Sequence, residues 1–446
     1  MTLDKAASQS RPIGEARLTW RPLLVGPLLA LAAGAVWAQS TPTNTPAPAP
    51  ATTAPTTLQQ VFEAAWLRQP EAQSRQARQD AAQAQRQVAD SWTAEPVSLE
   101  LSVKTDHLHT NPDGREDAAS LSFPLWLPGE RARSSAVGQA QERVNASRVL
   151  VAQLRTAATV REAYWQWQRA GGEHALAQER LVNTQQLAAD VAKRVKAGDL
   201  ARADQHQADG AVAAADATLA ESQSALATAA QALRALTGTP PVLNAQANLE
   251  VTRLGERMVA SHPDTAVVAS RHPVLQDGQD RLELARRAND LARVQTRANP
   301  ELTLEVARGR GQADERYQQS FKLALRIPFG SDSRNRAKVA TAQAELIEAE
   351  SQLRLEQDRV QAELDSAHAR FDSAEEQLLA ADRRAQLARE SRSFFQKSYR
   401  LGETDLPTRL RIELEALEAE RQARRARIDL GAALSNLRQA QGLLPE

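Results

Sequence analysis

The spacing of apolar and polar residues changes twice along this chain, and the whole sequence of changes is then repeated. After Thr57, the apolar residues Val61, Phe62, Ala65 and Trp66 fall on one face of a helix. Thr57-Leu58-Gln59-Gln60 ahead of them fits a capping box. Pro70 predicts a break, and a second helix is expected over about residues 71–94. At Pro96 the period drops to two. Val97, Leu99, Leu101 and Val103 alternate with Ser98, Glu100, Ser102 and Lys104. A polar turn region with Asn111-Pro112-Asp113-Gly114 follows. Leu121, Phe123, Leu125 and Leu127 then alternate with Ser120 and Ser122. The prediction is a β-hairpin over 97–127, each strand near the ~9–11 residues that a tilted strand needs to cross a bilayer. From Glu130 the helical period returns and runs almost to Lys196, about 100 Å at ~1.5 Å per residue. Gly171-Gly172 marks a bend or a local packing change, and Ala197-Gly198-Asp199 reads as a C-terminal cap. A return helix is expected over 200–236, stopped by Thr237-Gly238-Thr239-Pro240-Pro241.

The second pass has the same order. A helix over about 272–298 leads to Pro300 and a strand with Leu302, Leu304 and Val306. A charged, Gly-containing loop at 309–316 precedes Phe321, Leu323, Leu325 and Ile327, which alternate with Lys322, Ala324 and Arg326. This hairpin spans 300–328. Another long helix reaches Leu401 and stops at Gly402. The last helix, about 406–441, carries Leu410, Leu414, Leu417, Leu430, Leu434 and Leu437 as its buried stripe. A shift of 204 positions carries Pro96 onto Pro300, Pro124 onto Pro328, Gly198 onto Gly402 and Gly238 onto Gly442. The unit is far longer than a solenoid repeat, so it reads as a duplicated half-domain, 57–238 and 263–446, joined by a connector at 239–262.

Composition sharpens this picture. With 55 basic and 55 acidic residues the chain has no basic footprint for nucleic acid. Absence of cysteine excludes disulfides and thiolate metal sites. Lys5, Arg11, Arg17 and Arg21 precede a short apolar run at 23–35, and Val36-Trp37-Ala38 offers small residues for cleavage after Ala38. Residues 1–38 therefore read as a secretory signal, too short in its apolar run to span a bilayer. A Thr/Pro/Ala tract at 39–56 reads as an extended linker.

Four strands leave two open edges, a hazard in water and untenable in lipid. Closed membrane barrels start at about eight strands. The hairpins must therefore close with other copies of the chain, by cyclic symmetry. A dimer would supply eight strands and a trimer twelve, and periodicity alone does not choose. The helices are Ala-rich with spaced Leu and Val, which suits close side-by-side packing in a wall.

At this point the chain resembles the TolC-type outer-membrane efflux channels over about residues 57–444. The likeness rests on the duplicated order and on Asn299-Pro300, Ile327-Pro328-Phe329, Tyr399-Arg400-Leu401-Gly402-Glu403 and its first copy Arg194-Val195-Lys196-Ala197-Gly198-Asp199. The resemblance implies a mainly α fold with a small membrane β-barrel: a homotrimer with a twelve-stranded barrel in the outer membrane and a helical tunnel across the periplasm. It implies passive conduction, no cofactor, and partnership with a periplasmic adaptor and an inner-membrane transporter. The hairpin residues Leu99, Leu101, Val103, Leu121, Phe123, Leu302, Leu304, Val306, Leu323 and Leu325 would then meet outer-membrane lipid. The two helix turns would form the periplasmic tip, gate and adaptor-docking region. That region maps onto Lys196, Gly198, Asp199 and Asp204, and onto Tyr399, Gly402, Glu403, Asp405, Arg409 and Arg411. TolC itself places aspartates just after the second tip glycine, where this chain has Arg409 and Arg411. Asp204 is the nearest match, so gating is expected to rest on Tyr399, Asp204 and arginine contacts between protomers. The runs at 128–133 and 327–336 resemble members paired with heavy-metal pumps, the CzcC-like branch.

Catalytic signatures are missing from the sequence: it has no HExxH, Walker loop, dinucleotide fingerprint or nucleophile elbow. His107 and His109, near Asp106, Asp113, Glu116 and Asp117, read as part of a solvated loop rather than a metal site. Tyr164, Trp165 and Trp167 read as core or protomer packing, and the Glu/Arg run at 415–427 as a solvated helix face. The rival reading is a periplasmic coiled-coil adaptor, which would have one helical hairpin flanked by compact Gly-rich β-domains.

Overall fold

The computed structural model describes residues 57–105, 114–242, 271–312, 314–330 and 332–446. The signal segment, the linker, His107 and His109, and most of the connector lie outside the described residues. Helix α1 (Leu58–Leu67) begins with the predicted capping box. The Thr57 hydroxyl accepts from the Gln60 amide at 3.3 Å, and the Gln60 side chain accepts from the Thr57 amide at 3.3 Å. The helix expected over 71–94 is instead two pieces, α2 (Pro70–Gln73) and α3 (Arg75–Ala89). It stops early because Ser91 donates to the Thr93 carbonyl at 2.6 Å, and Trp126 Nε1 donates to the Ser91 carbonyl at 3.2 Å. Short polar side chains bonded in this way compete with the helical ladder.

Strands β1 (Ser98–Thr105), β2 (Arg115–Pro124), β3 (Glu301–Arg310) and β4 (Gln318–Arg326) form one antiparallel sheet in the order β1-β2-β3-β4. The two hairpins, distant in sequence, join through β2 and β3, and β1 and β4 remain as edges. Leu125 and Leu127 fall beyond β2, and Leu127 is buried instead.

The register sorts side chains by face. Leu99, Leu121, Leu304 and Leu323 lie in one row, and Leu101, Ala119, Val306 and Phe321 in the next. Phe123, Leu302 and Leu325 form a third row on the same face. Alternate positions put Ser98, Ser122, Thr303 and Ala324, and then Glu100, Ser120, Glu305 and Lys322, on the opposite face. The apolar face is open: Leu101 is 72% and Phe321 83% exposed. The polar face is the more enclosed, with Ala307 buried and Lys322 paired to Glu305 at 3.1 Å.

The constant offset of 204 conceals one compensated change. Leu99 and Leu302 are 203 apart, while their partners Leu121 and Leu325 are 204 apart. The second hairpin therefore gains one residue in its turn, which restores the alternation that a strict offset would break.

Helix α4 (Glu130–Ala197) has 68 residues and returns as α5 (Arg202–Thr237). Helix α6 (Pro273–Val294) precedes the second hairpin, α7 (Asp332–Arg400) has 69 residues, and α8 (Leu406–Ala440) closes the chain. Toward the helix turns the wall runs α5-α4-α8-α7, and toward the sheet α6 bridges α4 and α7. Helix α4 continues through Gly171-Gly172 without a break. A Cβ at Gly172 would stand 3.2 Å from Ile428 Cδ1, so this pair marks close packing against α8.

Tyr164, Trp165 and Trp167 are core, packed with Leu58, Val61 and Phe62 of α1 and Leu233 of α5. The leucine stripe of α8 holds only in part. Leu437 is buried against Leu364 and Phe371, but Leu414 is 52% exposed. Nearer the turns the buried positions are Ile412, Ala416, Ala419 and Ala423, because closely spaced helices leave room for little more than a methyl group.

Candidate functional site at the helix turns

Both long helices end in the same cap. Gly198 (φ 85°) and Gly402 (φ 79°) adopt the left-handed conformation that L side chains resist. The Gly198 and Asp199 amides donate to Val195 and Arg194, and those of Gly402 and Glu403 to Tyr399 and Ser398. A Cβ at either glycine would meet nothing within 4 Å, so the requirement is backbone conformation and not space.

The following helices start differently. Asp405 caps α8 by accepting from the Thr408 amide at 3.3 Å, and its hydrogen bond with Thr408 holds the carboxyl below its ordinary value. Ala201 has no capping side chain, and Asp204 accepts from the Ala201 amide at 3.0 Å instead. Both tip acids thus serve helix N-termini, where an anion is favoured.

Between the two turns lies a buried cluster of Leu187, Val191, Ala208, Tyr399 and Leu406. Tyr399 is 2% exposed, and its hydroxyl has no hydrogen-bond partner among the described residues. The Arg194 and Arg409 guanidinium carbons lie 4.9 and 4.6 Å from its ring centroid. Arg194 also donates to the Tyr399 carbonyl at 3.5 Å and faces Asp190 at 3.7 Å. Burial pushes the phenol pKa up, and the two arginines oppose that shift. Burial also lowers the pKa of Arg409, against the pull of Tyr399 and Glu413. The arginine standing where an aspartate was expected therefore stacks on an aromatic ring. The arrangement ties the α4–α5 turn to the α7–α8 turn. Beside it runs a groove of about 760 Å³ lined by Asp190, Arg194, Arg392, Arg400, Arg409 and Glu413.

Not every tip residue joins this cluster. Lys196, Asp199, Glu403 and Arg411 are exposed, and Arg411 pairs with Glu415 one turn along its own helix at 2.9 Å.

Arginines of α8 also cross to neighbouring helices, where the sequence reading expected a solvated face. Arg421 meets Glu173 at 3.0 Å and Arg424 meets Glu179 at 2.9 Å on α4, while Arg427 meets Asp382 at 2.6 Å on α7. Arg392 of α7 reaches Glu420 at 3.2 Å. Each such exposed pair is worth at most ~1 kcal/mol, so the series sets alignment more than stability. The available signal was the spacing of Arg421, Arg424 and Arg427 three apart, which steps successive side chains by about 60° around α8 until Arg427 faces the other neighbour.

Among the described residues no group of three His, Asp or Glu side chains is placed to hold a metal ion. Nor is any helix there long and apolar enough to cross a membrane.

Residues 61–239 match the family model of outer membrane efflux proteins. No curated protein matches the chain by sequence. The fold is that of solved channels. CusC, studied for folding and transmembrane channel formation, has 17% identity and a TM-score of 0.71, with 87% of this chain and 92% of that one covered. The open-state MtrE outer membrane channel of Neisseria gonorrhoeae has 17% identity and a TM-score of 0.70, covering 87% and 90%. The CmeC outer membrane channel of Campylobacter jejuni has 14% identity and a TM-score of 0.68, covering 86% and 85%.

Proposed function

We propose that this chain, which through residues 61–239 belongs to the outer membrane efflux protein family, is the passive exit duct of a tripartite efflux pump. In this reading three copies close their sheets into a twelve-stranded barrel, and their helices form a tunnel across the periplasm. The signal segment is removed near Ala38, an inner-membrane transporter supplies the energy, and a periplasmic adaptor docks at the helix turns.

The observation that carries the reading is a sheet apolar on one face and polar on the other, open at β1 and at β4. In water such a sheet exposes two rows of unpaired amides and a broad apolar band, and closure within lipid relieves both. Among the described residues the wall toward the turns ends at α5 on one flank, which packs on α4 and α1, and at α7 on the other, which packs there on α8. On α7 the residues Leu379, Leu387 and Phe394 stand exposed, as apolar positions awaiting a neighbour would. A periplasmic adaptor would not need two hairpins fused into one amphipathic sheet. Tyr399 with Arg194 and Arg409 is then the closure of the tip, and the side chains named at both turns are the docking region. The CzcC-like lean toward metal ions rests on the two sequence runs at 128–133 and 327–336.

The test is the mass of the native assembly extracted in detergent from a purified outer-membrane fraction, by light scattering corrected for detergent. Three mature chains are expected. A monomer, soluble in the periplasm, would overturn the duct.

A further inference from the structure

We propose that the outward face of the sheet, at its turn end, binds the phosphate-bearing headgroups of lipid in the outer leaflet. The inference rests on the duct reading, which sets the apolar face toward lipid and the turns outside. Beyond the apolar rows, the next row on the same face is Val103, Asp117, Arg308 and Gln319. The row after it brings Thr105, Arg115 and Arg310 together, with Tyr317 adjoining on the β4 side. These two rows hold three arginines and one aspartate. Asp117 pairs with Arg115 at 3.0 Å, and Arg308 is exposed. The Arg308 and Arg310 guanidinium carbons lie 4.5 and 5.1 Å from the Tyr317 ring centroid. Asp314 and Glu315 belong to the turn itself, where Glu315 accepts from the Gly311 amide at 3.0 Å.

The chemistry favours a lipid over a free ion. Two guanidinium groups lie over one ring, and a guanidinium fork positioned in this way matches the oxygens of a phosphate. The rows beneath, with Leu101 and Phe321, are where acyl chains of the same molecule would lie. Headgroup and tail are thus met by adjacent rows of one face, the arrangement by which basic clusters at a membrane surface recognise anionic lipid. The helices leave from the opposite end of the sheet, so the cluster belongs to the leaflet far from the periplasm.

The experiment measures lipid carried by the purified full-length assembly, by native mass spectrometry. It uses a diphosphorylated disaccharide lipid and its phosphate-free form, on wild type and on the Arg308→Gln/Arg310→Gln double variant. At least tenfold tighter binding of the phosphorylated lipid is expected for wild type, and loss of that preference in the variant. Equal binding of both lipids by wild type overturns the proposal, and this arm decides even if the variant fails to assemble. A preference kept by a well-assembled variant overturns it too. So does displacement of the lipid by millimolar inorganic phosphate, which would make the site one for a free anion. A wild-type chain that inserts and conducts but ignores phosphate leaves the duct reading intact. A chain absent from the outer membrane ends both.

Discussion

Single side chains decide how the tip is held. A buried phenol with two guanidinium groups over its ring loses a contact when either arginine is removed, and each cation–π contact contributes ~0.5–2 kcal/mol. Arg409→Ala and Tyr399→Ala are therefore expected to raise single-channel conductance in planar bilayers. Tyr399→Phe is expected to behave as wild type, because its hydroxyl is unpartnered among the described residues. Unchanged conductance in both alanine variants would remove the closure role from this cluster.

Midway along the helical wall, His272 is buried where α6 begins, and Gly442 packs so closely on it that a Cβ there would lie 2.8 Å from its ring. Burial lowers the imidazole pKa, opposed by Glu363. A histidine depressed below its unfolded value of ~6.5 stabilises the fold fully above that pH and progressively less as pH falls through it. Wild type should therefore lose thermal stability between about pH 7 and 5, and His272→Gln should lose measurably less. Parallel melting curves for the two proteins over that range would show that the imidazole is not the group responsible.

At the scale of elements, the hairpins were legible because a period of two needs only the order of residues. What the order did not show was their joining. Pairing of β2 with β3 depends on strands some 180 residues apart in sequence, which meet at the helix end of the sheet where Asn299 donates to Glu130 at 2.9 Å. The early end of α3 was equally hidden, since it depends on Trp126 reaching Ser91 from beyond the hairpin. Leu323 is in the middle of the apolar face, so Leu323→Arg should cost ~2–4 kcal/mol per copy if that face meets lipid. Outer-membrane fractionation should show a severalfold fall in inserted protein. Ser320→Arg, on the polar face, should insert near the wild-type level. Equal insertion of both variants would reverse the assignment of faces.

For the whole molecule, the governing fact is that one chain is open along both flanks. Among the described residues, the edge strands β1 and β4 are paired on one side only, and α5 and α7 stand at the two ends of the row of helices toward the turns. Closure by a ring of copies would satisfy amides and apolar side chains together, which is why native mass is the first quantity to measure. In the proposed trimer a single substitution would act three times over. A modest local cost, such as a charge on the lipid face, becomes a large one for insertion.

The sequence by itself determined the order of elements, the duplicated plan, the alternating faces of the strands and the glycine turns. Each of these follows from local stereochemistry or from periodicity, which a chain carries whatever it packs against. Tertiary structure decided the rest. It put Arg409 on Tyr399 instead of at an open aperture, and turned Asp204 and Asp405 toward helix amides. It sent the arginines of α8 across to α4 and α7. Those outcomes depend on which helices stand side by side and at what rotation, and residue order does not encode either quantity locally.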